Sequence, residues 1–254
     1  MRWHFIVDPH GRTGAENMAQ DEALLYEADR SGAAFLRLYR WTPPCLSFGR
    51  NEPACARYDR GAIERLGLDV VRRPTGGRAV WHEHELTYAV AAPVAAFGTL
   101  RASYRAIHER LAAALRRLGA AAALAADRDA SAMDDTSGAC FAAPVGGEVV
   151  VAGRKLVGSA QVRHGSAFLQ HGSMLLGGSQ ERLQAVSRQP STMRSHTTLA
   201  TILGRSVGFD EAASAVAATW GEPLTPASHP PTTVRESLRI RPFGFLDPAW
   251  TWRR

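Results

Sequence analysis

Lysine is almost missing from this chain. Lys155 is the single lysine among 30 basic residues, the other 29 being arginine. Cysteine is scarce as well: Cys45, Cys55 and Cys140 make an odd number with no CxxC pair, which excludes a disulfide framework and a zinc ribbon. No stretch approaches the roughly 18 uninterrupted apolar residues of a membrane span. The first 20 residues include Asp8, Pro9 and Glu16 and so lack the apolar core of a secretory signal, and a cytoplasmic protein is expected. Neither GxxxxGK[ST] nor GxGxxG occurs, so no P-loop or Rossmann site is indicated. His82-Glu83-His84 suggests a metal, but HExxH fails at Leu86 and no third ligand stands at a useful spacing, so no metal is expected. The basic excess, a formal net charge of +6, is spread along the chain and not gathered in a block. It suits an acidic protein partner at least as well as nucleic acid, and no nucleic-acid partner is expected.

What is present is an ordinary globular composition, 45% hydrophobic over 254 residues, enough for one large α/β domain or two small ones. A helix is expected from Ala15 to Ser31, with Met18, Leu24 and Leu25 on its apolar side and Gly32 as the stop. Phe35 to Trp41 reads as a strand, Pro43-Pro44 as a turn, and Cys45 to Gly49 as the returning strand. A short helix near Ile63 leads to a strand at 68–72, a glycine loop at 74–78, and strands at 79–82 and 85–91. The clearest helix spans Thr99 to Gly119, where Leu100, Tyr104, Ile107, Leu111, Leu115 and Leu118 recur at three and four. From Val145 to Leu176 the pattern is strand-like, and one strand over 155–163 would place Lys155, Ser159, Gln161 and Arg163 on one face. Shorter helices follow at 180–187 and 210–220, then a Pro-rich linker at 223–231. Hairpin strands interrupted by helices predict an α+β fold with a largely antiparallel or mixed sheet flanked by helices.

Three segments carry chemistry. In Arg72-Arg73-Pro74-Thr75-Gly76-Gly77-Arg78, paired glycines let backbone N–H groups approach a ligand, and arginines can hold a carboxylate, phosphate or polarised carbonyl. A hairpin loop with surface arginines is the plain alternative. In Gly153 to Gln161, followed by Leu169 to Ser173, the small residues Gly158, Ser159 and Ala160 leave room beside a strand for an elongated ligand or for a close-packed helix. Lys155 beside that gap favours the ligand. In Ser137-Gly138-Ala139-Cys140-Phe141, a thiol closes a polar loop. Cys45 reads as a buried small hydrophobe, whereas Cys140 is a candidate nucleophile if a cation such as Lys155 raises its thiolate fraction.

Together, RRPTGGRAVWHEHELTYAV, GRKLVGSAQVR and LQHGSMLL resemble the lipoate/biotin protein ligase superfamily. GACF upstream of the lysine strand, with ENMAQDEALL and FLRLYRWTPPCLSFGR, resembles its LipM-type octanoyltransferases over about residues 15–205. Arg78 stands where ATP-using lipoate ligases usually show a third glycine, Ala89 stands where similar proteins often carry Ser, and the GRGR loop of biotin ligases is absent. The resemblance implies a single catalytic domain over 1–254, with 223–254 a C-terminal extension. It implies transfer of octanoyl from acyl carrier protein to a lysine of a lipoyl domain or of the glycine-cleavage H protein through a thioester on Cys140, with no cofactor. Lys155 is the expected partner of that thiol, and Arg73, Thr75, Gly76, Gly77, Arg78, His82, Gly158, Ser159, Ala160, Gln161, His171 and Gly172 the expected substrate-binding residues. An ATP-dependent lipoate-protein ligase and a catalytically silent acyl- or lipoyl-carrier binding module stand as alternatives.

Overall fold

The computed structural model describes residues 2–126, 146–189, 196–228 and 244–253. Among the described residues the largest sheet has six strands, β1 (Trp3–Arg12), β2 (Ala34–Trp41), β6 (Glu85–Pro93), β10 (Val157–His164), β11 (Ala167–Leu175) and β12 (Leu224–Pro226), in the order β10-β11-β6-β2-β1-β12. From β10 to β2 neighbours run antiparallel, while β2 with β1 and β1 with β12 are parallel, so the sheet is mixed. A second sheet joins β3 (Cys45–Phe48), β4 (Asp69–Arg72) and β5 (Val80–His82) in the order β4-β3-β5. A third joins β7 (Ala122–Leu124), β8 (Val149–Val151) and β9 (Arg154–Lys155). The expected α+β architecture is the one observed.

Helix α1 (Gly14–Ser31) starts where the sequence offers a reciprocal cap: the Thr13 side chain accepts from the Glu16 N–H and Glu16 reaches back to Thr13. It stops at Gly32, whose φ of 73° is the left-handed conformation glycine adopts without a Cβ clash. The helix lies between the six-stranded sheet and the β4-β3-β5 sheet. It therefore buries Asn17, Gln20, Asp21 and Glu22 as well as the apolar side expected for it. Helix α2 (Ala54–Arg57) and α3 (Arg60–Arg65) border the second sheet. Helix α4 (Leu100–Arg117), capped by Thr99, covers the opposite face of the main sheet with α6 (Phe209–Ala218). Between them, α5 (Leu199–Leu203) is one short turn capped by Thr198.

Three expectations needed correction. Cys45 to Phe48 does not return beside β2 but pairs β4 and β5 in the second sheet. Two consecutive prolines carry no N–H to extend a ladder, and the chain leaves the first sheet there. The expected strand 155–163 is two strands: Lys155 pairs Val150 in β8, Leu156 intervenes, and β10 pairs β11. Part of the Pro-rich stretch at 223–231 is β12, an edge position where Pro226 is tolerated. The following helix α7 (Pro248–Thr251) returns to the second sheet. There the buried Arg72 guanidinium donates to the carbonyls of Trp250, Thr251 and Arg253 and also to those of Gly49, Arg50 and Glu52.

Candidate active site

A narrow cleft lies where α1, β2, β5, β10 and β11 converge. One side is the strand Gly158-Ser159-Ala160, and Arg73, His82, His171 and Gly172 also line it. The structure thus brings both sequence motifs to one place, although 72–78 and 158–172 lie far apart in the chain.

Close approach here depends on missing side chains. A Cβ on Gly172 would sit 2.4 Å from the Gly158 carbonyl oxygen, and one on Gly49 would sit 1.8 Å from the Gly77 carbonyl oxygen. Gly77 itself has a φ of 89° and its missing Cβ points toward Ala160, 4.0 Å away. The glycine loop therefore folds over the small-residue strand. Arg73 fixes it: one guanidinium nitrogen donates to the Ser47 carbonyl at 2.9 Å and hydroxyl at 2.5 Å, the other to the carbonyls of Gly76 at 3.2 Å and Arg78 at 2.9 Å. This guanidinium, expected to meet substrate, lines the cleft and also staples the loop.

Two buried carboxylate–imidazole–hydroxyl chains flank the cleft. In the first, Asp21 accepts from His171 Nδ1 at 2.8 Å, and His171 Nε2 meets Thr75 Oγ1 at 2.7 Å. Asp21 also accepts from Tyr39 Oη at 2.8 Å and from Arg37 at 2.8 Å. With Nδ1–H given to the carboxylate, Nε2 is left to accept from Thr75. Burial lowers the His171 pKa, so the neutral ring is favoured. In the second, Glu85 contacts His82 Nδ1 at 2.7 Å and accepts from Ser173 at 2.9 Å and from Thr87. His82 Nε2 meets Ser47 Oγ at 2.6 Å. Apart from the buried Glu85 Oε2, these polar atoms satisfy one another, and the side chains turn mainly carbon toward the cleft. The exposed walls are almost wholly apolar.

Ser159 turns the other way, toward α4. Its hydroxyl meets Tyr88 Oη at 2.6 Å and His108 Nε2 at 2.8 Å, while His108 Nδ1 donates to the Gly147 carbonyl at 2.7 Å. Burial lowers the His108 pKa to about 4. Gln161 bonds Gln170 at 2.8 Å and Ser103 at 3.1 Å and takes no part in the cleft walls. Lys155 is 1% exposed, and its ammonium donates to Glu148 at 2.6 Å. It too is absent from the cleft walls among the described residues, yet its charge is felt at His108. Cys140 falls in 127–145, outside the described residues. His84, the other candidate of the HEH segment, is exposed beside Glu83.

Sequence reasoning did not single out Asp21, Ser47, Gly49, Glu85 or His108. For His108 a signal existed: it lies four residues after Tyr104 on the stripe of α4 that faces the sheet, where a polar residue needs a buried partner. For the others the partners are remote in sequence, and no local pattern marks them.

Residues 13–221 match the family of the lipoyl protein ligase A/B catalytic domain. The chain is 37% identical over 272 residues to the octanoyltransferase LipM of Kyrpidia tusciae, covering 99% of both chains. It is 47% identical over 165 residues to octanoyltransferase LipM of Carboxydothermus hydrogenoformans, covering 63% of this chain and 60% of that one. Among solved structures, a T. acidophilum protein with bound lipoic acid superposes with a TM-score of 0.80 at 21% identity, covering 99% of each chain. A lipoate-protein ligase A bound with ATP gives 0.74 at 22% identity, covering 93% of this chain and 94% of that one. At these identities the likeness to the solved structures concerns the fold.

Proposed function

Because the chain belongs to the lipoyl protein ligase A/B catalytic-domain family, we propose that it is an octanoyltransferase of lipoate biosynthesis, a cytoplasmic enzyme working as one catalytic domain over 1–254. The observation that carries the reading is the narrow cleft whose polar neighbours consume one another's hydrogen bonds and leave carbon for an unbranched acyl chain. The octanoyltransferase names of relatives that match nearly the full chain support the same reaction.

In the first step the Cys140 thiolate attacks the thioester carbonyl of octanoyl-acyl carrier protein. A new S–C bond forms, the old one breaks, and the pantetheine sulfur leaves and takes up a proton. In the second, the deprotonated ε-amine of an acceptor lysine, on a lipoyl domain or a glycine-cleavage H protein, attacks the Cys140 thioester. The amide forms, the amine loses its remaining extra proton, and the cysteine sulfur is released. Both thioesters are already activated, so no nucleotide is consumed. Lys155 is assigned to hold the sulfur as thiolate and to donate to the oxyanion of each tetrahedral intermediate. Gly76, Gly77 and the segment 158–160 shape the acyl channel. Burying about seven carbons contributes roughly 5 kcal/mol at ~0.8 kcal/mol per methylene. The net charge of +6 favours acidic protein partners.

The test is transfer from octanoyl-acyl carrier protein to an apo-lipoyl domain in the absence of nucleotide. The expected result is an acceptor heavier by one octanoyl group. Modification that appears only with ATP and free lipoate or octanoate establishes the ligase reading instead, and tight carrier binding with no transfer under either condition establishes the binding module.

A further inference from the structure

The cleft has a direction. Ser159 and Ala160, half-buried on β10, line one end, and the exposed Gly77 lies close to Ala160. At the other end, across β11 and β6 from β10, stand Tyr39 and Trp41 of β2, with Met18 of α1 beside them. Of these, Trp41 is held on both its face and its edge. Its ring stacks on the His82 ring with centroids 4.0 Å apart and planes 17° from parallel. Its Nε1 donates to Thr87 Oγ1 at 2.7 Å, and Thr87 in turn bonds Glu85, the carboxylate that also holds His82. The indole cannot turn aside without breaking that closed ring of contacts. Met18, delivered by α1, is unbranched and has no such tie, so it fills what the indole leaves. Tyr39 is kept in place by its hydroxyl bond to Asp21.

We infer that Trp41, backed by Met18, is the end wall of the acyl cleft and sets the length of chain the enzyme transfers. The inference rests on the octanoyltransferase reading above and adds the residue that selects the substrate within its class. A chain longer than the cleft must leave its extra methylenes unburied or press on a wall that cannot yield. Each methylene that loses its burial changes relative kcat/KM by about fourfold, equivalent to about 0.8 kcal/mol.

The experiment is an internal competition. Octanoyl-, decanoyl- and dodecanoyl-acyl carrier protein at equal concentration compete for a limiting apo-lipoyl domain, and the masses of the acylated acceptor are read. The wild-type enzyme is expected to favour octanoyl over dodecanoyl by at least about tenfold. Trp41→Leu is expected to raise the dodecanoyl-to-octanoyl ratio by about tenfold or more, and Met18→Ala to raise the decanoyl share by about fourfold. Because the readout is a ratio, it survives a loss of overall rate, and Met18→Ala tests the same wall without disturbing the stacked ring. Wild-type ratios retained in both variants would overturn the end-wall assignment while leaving the transferase reading intact. Wild-type enzyme that transfers none of the three without nucleotide contradicts the transferase reading itself.

Discussion

A buried ammonium is stable only where something compensates its lost hydration, and for Lys155 that partner is Glu148 at 2.6 Å. The role proposed for Lys155 toward the Cys140 thiolate is separable from this structural one by variants. Lys155→Met should destabilise the fold by about 3–5 kcal/mol because it breaks a buried ion pair by removing one member. The double variant Lys155→Met with Glu148→Gln should recover most of that stability in urea unfolding, yet stay impaired in octanoyl transfer by at least about a hundredfold if the ammonium stabilises the thiolate and oxyanion. Near-normal transfer by the double variant would show that the pair is structural. His108 makes a second prediction at this scale. Burial lowers its pKa from 6.5 to about 4 in the folded chain. Between those values the unfolded chain binds the proton and the folded chain does not, so stability is full above about pH 6.5 and falls as the pH drops toward 4. The loss approaches about 3 kcal/mol. Unfolding free energies measured across that window should show a shallower slope for His108→Gln than for wild type, and equal slopes would contradict the assignment.

Among the elements, the sharpest constraint is the contact of Gly49 with the glycine loop. A methyl group there would meet backbone, not a flexible side chain, so the loop itself must move. Gly49→Ala is expected to reduce kcat/KM for octanoyl transfer by about a hundredfold with a smaller change in unfolding midpoint, since a displacement of about 1 Å at a site costs that much. Activity within a fewfold of wild type would show that the loop does not bear on the acyl group. The helices α1 and α4 were legible in the sequence because their apolar spacing and their Gly32 and Thr99 boundaries are local signals, while the Thr13 cap of α1 came only with the structure. The break at Leu156 was not, because alternation shows which residues share a strand face but not which sheet the strand joins. Strand β1 carries Asp8 and Arg12 in polar contacts of its own, which blurs its alternation, and β12 is too short and proline-bearing to stand out.

At the scale of the whole molecule, the site depends on chain segments that only the fold brings together. Thr75, His171 and Asp21 make one hydrogen-bonded chain although His171 is 96 residues from Thr75 and 150 from Asp21. The motifs around Thr75 and His171 were visible in the sequence as a likeness to a known family. Their linkage through Asp21, and the use of Arg73 as a staple, were not. The C-terminal segment belongs to the same arrangement, since Arg72 ties the carbonyls at 250, 251 and 253 to those at 49, 50 and 52 beside the glycine loop. Among the described residues no helix is long and apolar enough to cross a membrane.

The proposed reaction requires covalent custody of the acyl group, and intact-mass spectrometry of the enzyme measures that most directly. After mixing with octanoyl-acyl carrier protein and no acceptor or nucleotide, the protein should gain one octanoyl group, lost on hydroxylamine treatment, mapping to Cys140 and missing from Cys140→Ala. An unmodified enzyme that nevertheless transfers octanoyl to the acceptor, or a Cys140→Ala variant with wild-type turnover, would contradict it.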